Sequence, residues 1–435
     1  MLAESARMRS ARVAVLAAAI AIPAATFLLA DKAPDMTMLS IDDPAIQYTH
    51  TPVDDPITRL QQRLASGKAK LEYQTGGLGY LPSLLKNLDL NPDSQTLVFS
   101  KTSFQAAKIS PANPRALFFN DDVIVGSVRG GDVLEVAALD PKQGMVFYTL
   151  DAQKSDKPEF VRRDSCLQCH QGPATLGIPG LLIGSVYPDA SGMPSSRSNN
   201  PVTDDTTPIE KRWGGWYVTG TTGGMTHLGN AVARDPHTPD VLDMRGSQNL
   251  TSLKGRFEPA GFMTMTSDLI ALMTLEHETR TVNLMVRAGW DERIAEKAGK
   301  AGDPATASKI DADVDALVKY MLFSHEATFY DPVEGVSTFT KTFSERGPRD
   351  KQGRSLREFD LHKRMFRYPL SYMIYSEAFD AMPDAVRAKV YQQIYDVLSG
   401  KNQDQAFAKL TAEDRKAILD IVRETKPNLP GYWVD

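Results

Sequence analysis

Two cysteines in a chain of 435 residues, at positions 166 and 169, constrain how the fold can be held together. They are too close to tie distant segments, so there is no disulfide framework and stability must come from an apolar core. The material for one is present. Hydrophobic residues make up 42% and charged residues 24%, ordinary values for a globular protein, and the length allows two packed domains. A formal charge of −5 gives no broad attraction for phosphate, so nucleic acid is not an expected partner.

Both cysteines fall in the stretch Asp164-Ser165-Cys166-Leu167-Gln168-Cys169-His170, which contains C-x-x-C-H. Two thiols at this spacing reach the two vinyl groups on one edge of a porphyrin, and the adjacent imidazole turns under the iron as an axial ligand. With two cysteines and seven histidines in the chain, chance produces this order on the order of one time in ten thousand. A redox dithiol would need a strand-turn-helix setting that the flanking sequence lacks, and a zinc site would need a second ligand pair that does not exist. The expected cofactor is one covalent haem c, attached at Cys166 and Cys169 with His170 as proximal ligand. On these residues the chain resembles c-type cytochromes. Segments 117–150, 212–230, 266–287 and 347–379 also resemble a family of large single-haem bacterial cytochromes of unassigned activity, a likeness covering most of the chain after about residue 60. The resemblance implies a redox role without naming a reaction.

The N-terminus reads as a targeting segment. Arg7, Arg9 and Arg12 precede an uncharged run at 13–30, which serves as an export signal or a membrane anchor and places the rest of the chain in the periplasm. Residues 31–56, rich in Asp and Pro, read as a tether, followed by a short helix near 58–72. Short apolar runs at 116–119, 123–125, 133–139 and 145–150, broken by Gly and Pro turns, predict an antiparallel sheet, with further strands at 181–187 and 216–219. Helical periodicity then takes over at 267–288, 309–325, 385–398 and 412–424, with Thr411 as an N-cap. The expected class is α+β, with a strand-rich haem-bearing region at 57–262 packed against a mainly helical region at 263–435.

The iron's sixth ligand decides between carrying electrons and binding a small molecule. His227, in the glycine-flanked loop Gly223-Gly224-Met225-Thr226-His227, is the first candidate, and His277, on one stripe of a predicted helix, is the second. Met225 and Met193 are softer alternatives. The ring N–H of His170 needs a carbonyl or carboxylate acceptor, for which the Gly172-Pro173 and Pro179-Gly180 turns are placed. Trp213, Trp216 and Tyr217 could wall the haem edge. Arg349, Arg354, Arg357, Arg364 and Arg367, with Lys351 and Lys363, form either a solvated face or a site for propionates or an acidic redox partner.

The leading expectation is a periplasmic electron-transfer cytochrome working with redox proteins or a quinone-linked membrane complex, with membrane contact through the N-terminal segment. The alternatives are a haem oxidoreductase with an open or displaceable sixth site, or a haem sensor or subunit of a membrane redox complex.

Overall fold

The apolar runs pair as an antiparallel seven-stranded sheet. In chain order its strands are β1 (Thr96–Val98), β2 (Arg115–Asn120), β3 (Val123–Val128), β4 (Val133–Asp140), β5 (Gly144–Asp151), β6 (Phe160–Arg162) and β7 (Trp216–Tyr217), arranged β6-β5-β4-β3-β2-β1-β7. The structure, a computed structural model, describes residues 36–195 and 201–434. The expected export segment at 13–30 lies outside them.

Register assigns the faces, because directly paired residues share one side of a sheet. Phe119, Ile124, Ala137 and Phe147 form one cross-strand row, and Leu117, Gly126, Glu135 and Thr149 form the next row on the same face. That face meets the loop bearing the cysteines, through Phe147, and a short helix at Phe339–Glu345, through Phe119. The opposite face, with Tyr148 and Asn120, meets α1 (Pro56–Ala65) and α2 (Leu81–Asn87). Tyr148 donates to Asp55, the N-cap of α1, and Asn120 donates to the Leu88 carbonyl at the end of α2.

After a single turn, α3 (Leu167–His170), the second half is helical: α4 (Leu269–Lys297), α5 (Pro304–Met321), α6 (Phe339–Glu345), α7 (Glu377–Asp380), α8 (Asp384–Leu398), α9 (Ala412–Thr425) and α10 (Gly431–Val434). The chain is therefore α+β, strands first and helices after, and both halves contribute to one continuous apolar core. Among the described residues no helix is long and apolar enough to cross a membrane. Thr411 caps α9 with a reciprocal capping box, as its sequence predicts.

Two expectations need correction, and two strands had no local signal. Residues 181–187 are not a strand, because their backbone is drawn to irregular partners: Asn283 takes both polar groups of Leu181, Ser185 donates to Pro201 and Val186 to Gly214. Residues 36–55 are not a free tether. Tyr48 is fully buried and donates to the Met145 carbonyl at 2.6 Å, and Leu39 donates to Gly177. The short strands β1 and β6 carry too few residues for period-2 alternation to register.

Helix α4 is buried on nearly every side, so its end has to be satisfied by protein rather than water. Asp268 does this: its carboxylate accepts from Ile270 at 2.8 Å and Ala271 at 3.4 Å, and from Val336 and Ser337 at 2.8 Å each. Asp268→Ala should cost about 3 kcal/mol, the sum of a lost cap and two stranded, partly buried amides. Equilibrium urea unfolding measures this, and a loss below about 1 kcal/mol would show that the helix end does not depend on the carboxylate.

Candidate functional site

The cysteine motif sits on an excursion of the chain pinned at both ends to one strand. Arg163 donates its amide to the Phe147 carbonyl at 2.8 Å, and the Pro179 carbonyl accepts from the Met145 amide at 3.1 Å. Residues 164–178 thus leave β5 and return to it two residues away. Inside the loop Cys166 is half-buried and Cys169 exposed, on either side of the turn that ends at His170.

His170 is fixed twice by the same residue. Its Nδ1 lies 3.1 Å from the Gly180 carbonyl, and its own carbonyl accepts from the Gly180 amide at 2.9 Å. A nitrogen that donates to a carbonyl carries the proton, so Nε2 is the nitrogen with the lone pair. Burial pushes the imidazole below its ordinary range, against the opposing pull of the Gly180 carbonyl. It is therefore neutral, as a metal ligand must be. Its ring rests on Phe147 with centroids 4.8 Å apart.

The loop's other support is α4. Asn283 donates to the Leu181 carbonyl at 2.7 Å and accepts from the Leu181 amide at 3.3 Å. One turn on, Arg287 donates to the carbonyls of Leu176 at 2.6 Å and Thr37 at 2.7 Å, and its Nε donates to Asp291 at 2.6 Å. Spacing of four residues puts these three side chains on one stripe of the helix. The approach is close enough to dictate glycine. A Cβ on Gly180 would lie 2.2 Å from Asn283 Oδ1, and one on Gly177, at φ +73°, 2.2 Å from the Thr37 carbonyl.

These residues fit a covalently held haem. The two thiols lie on one short helical segment with a neutral imidazole beside them, and His170 presents the nitrogen a metal uses. The sheet face beneath is the less completely covered one: Leu117 and Ala137 are 8% exposed and Phe147 6%, whereas Phe118, Val125 and Ala138 on the far face are at 0%. Among the described residues no group of three or more His, Cys, Asp or Glu side chains could hold a bare metal ion, so the motif's donors are not gathered around one point as zinc requires.

The other candidates lie elsewhere. His227 is buried against Trp213, with ring centroids 5.3 Å apart, and its Nδ1 accepts from the Gly229 amide at 3.1 Å. The sulfur of Met225 faces the Tyr330 amide at 3.3 Å, and Met193 is exposed. His277 is sealed among Tyr320, Phe323, Phe366 and Tyr372. Its Nδ1 lies 2.6 Å from Asp205 and its Nε2 2.7 Å from Ser371. Among the described residues no hydrogen-bond or ring partner is common to His170, His227 and His277. The order Asp205–His277–Ser371 is that of a hydrolytic triad. All three are buried, however, at 3%, 0% and 0% exposure, so no substrate reaches the hydroxyl and the chain serves to pin three segments together.

The arginines at 349–367 are each ion-paired within the protein. Arg349 and Arg367 face Glu358, Arg354 faces Asp350, Arg364 faces Asp414, and Arg357 is bonded to Asp121 between the rings of Phe343 and Tyr372. Trp216 and Tyr217 spend their polar atoms on the carbonyls of Gly184 and Pro111. Sequence reasoning named the Pro179-Gly180 turn as a carbonyl source for His170, and Gly180 supplies it. It missed Asn283, Arg287 and Glu135. The last had a signal, the one charge in the interior of the strand Val133–Asp140, whose other charge, Asp140, is its final residue. Compared with protein-family models, curated proteins and solved structures, the chain matches none.

Burial pushes the His227 imidazole down to about 4 from 6.5. The unfolded chain takes up this proton near pH 6.5 and the folded chain does not until about pH 4. Stability is therefore fully present above pH 6.5 and falls as pH drops towards 4, by about 3 kcal/mol from this residue. Urea unfolding across that range should show the slope in the parent chain and a flatter one in His227→Gln. Equal slopes would mean that His227 titrates alike in both states.

Proposed function

We propose that this chain is a c-type cytochrome with one haem c, held by thioether bonds from Cys166 and Cys169 and ligated axially by His170. The observation that carries this reading is the locked imidazole: Nδ1 on the Gly180 carbonyl leaves Nε2 as the ligand nitrogen, inside a C-x-x-C-H turn. Haem c, when bound, supplies a one-electron ferric–ferrous couple. The protein's part is to orient and to insulate. Gly180 fixes the ring plane, Phe147 supports it from the sheet side, and Asn283 and Arg287 keep the loop from yielding. The exposed Cys169 marks the edge of the site nearest solvent, where electrons would pass to a redox protein or a quinone-linked membrane complex. The work would be done in the periplasm, with residues 13–30 serving for export or as the membrane anchor.

A second reading, a haem oxidoreductase with an open or displaceable sixth position, is favoured by one set of observations. His227 accepts at Nδ1, which places its proton on Nε2, and His277 has both nitrogens engaged. Met225 already turns its sulfur to an amide. None of these three side chains is left uncommitted, and the fourth candidate, Met193, lies exposed on the surface.

Spectra of the purified ferrous protein with and without carbon monoxide test both readings. The haem assignment requires a haem absorbance that survives acid–acetone extraction in the parent chain and is lost in Cys166→Ser/Cys169→Ser. An extractable haem, or none, contradicts it. Carbon monoxide binding identifies an open sixth site. A spectrum unmoved by carbon monoxide but changed in spin state by His227→Ala would assign His227 to the iron and reject the second reading.

A further inference from the structure

The face that supports His170 carries a partly buried ion pair, Arg115 with Glu135. Glu135 stands in the row Leu117–Gly126–Glu135–Thr149, next to the row that ends at Phe147. Successive same-face positions on a strand are about 7 Å apart, so Glu135 stands one row along the sheet from the row on which His170 rests. Thr149, its cross-strand neighbour, accepts from Arg163 at 2.9 Å, the residue from which the loop departs.

The carboxylate is fixed by three donors. Oε1 accepts from Ser103 and from Gln105 at 2.7 Å each, and Oε2 from Arg115 at 2.7 Å. Burial pushes the Glu135 carboxyl up, but Arg115, Gln105 and Ser103 outweigh it and hold the group below its ordinary range. Arg115 and Glu135 are only 17% and 18% exposed, and Arg115 Nε is buried without a partner. Gly126 stands between the two strands with no side chain to part them.

As a structural device this arrangement is costly. Well-packed apolar residues in place of a buried ion pair are often neutral or stabilising, and the unpaired Nε adds to the cost. Its position gives it another use, because each of two charges set rigidly beside an iron site biases the electron's energy. We propose that Arg115 and Glu135 form a charge-balanced pair beside the iron ligated by His170, each charge cancelling the other's pull on its reduction potential. This rests on the proposed haem attachment. Removing either charge exposes the other: a bare Arg115 favours the ferrous state and a bare Glu135 the ferric state. At roughly 10 Å and an effective dielectric near 20, a unit charge changes the ferric-to-ferrous ratio roughly tenfold.

Spectroelectrochemical titration at pH 8 of the haem-loaded chain tests this. Arg115→Gln should lower the midpoint potential and Glu135→Gln should raise it, each by about tenfold in the ferric-to-ferrous ratio, or about 59 mV for one electron. Arg115→Lys, which keeps the charge, and the neutral, apolar Arg115→Met/Glu135→Leu should both stay within about threefold of the parent. Charges that do not act on the iron would shift both single variants in the same direction or neither, and that outcome overturns the proposal. A parent chain that never acquires covalent haem refutes the attachment itself, which is a distinct result.

Discussion

Helix α4 mixes polar with apolar residues along its length and is buried almost all round, and a helix of that kind is tolerable only if each polar side chain finds a protein partner. Much of the architecture can be read as the list of those partners. Glu276 meets Arg212 and Thr203, His277 meets Asp205 and Ser371, and Glu278 meets Tyr372. Asn283 and Arg287 then meet the loop that carries the cysteines. Neighbouring turns of one helix thus tie the C-terminal half to itself and to the sheet-side loop.

The consequence for the site is rigidity obtained without disulfides. The loop is closed on β5 at Met145 and Phe147, cross-tied by Gly180 to His170, and backed by α4. Each tie goes to backbone rather than to an exposed side chain, so solvent and salt loosen it little. Buried polar networks of this kind fix one geometry when fully satisfied. An axial ligand needs such fixity, because its orientation tunes the metal it holds.

The features legible in the sequence were those carried by local order. C-x-x-C-H is contiguous, the β2–β5 meander alternates between short turns, and α4, α8 and α9 repeat over several turns. What escaped depended on distant partners. His277 falls on an apolar stripe that suits a buried ligand as well as a buried hydrogen-bonded pin, and Asp205 and Ser371 lie 72 and 94 residues away from it. The arginines at 349–367 look like a basic surface until Asp121 and Asp414 are brought to them from other segments. Residues 36–55 lack periodicity because they are held by single anchors such as Tyr48 rather than by a regular face. Glu135 was visible as an oddity in its strand, but its meaning required the register that sets it next to Phe147.

The fold and the motif together support one central claim, that Cys166 and Cys169 carry a haem whose iron is ligated by His170. Mass spectrometry of the protein purified from an exporting, haem-attaching host tests it most directly. The proteolytic peptide spanning residues 164–171 should be heavier than its sequence by one haem, with both thiols protected from alkylation. The same peptide at its unmodified mass, with two alkylated cysteines, would contradict the account.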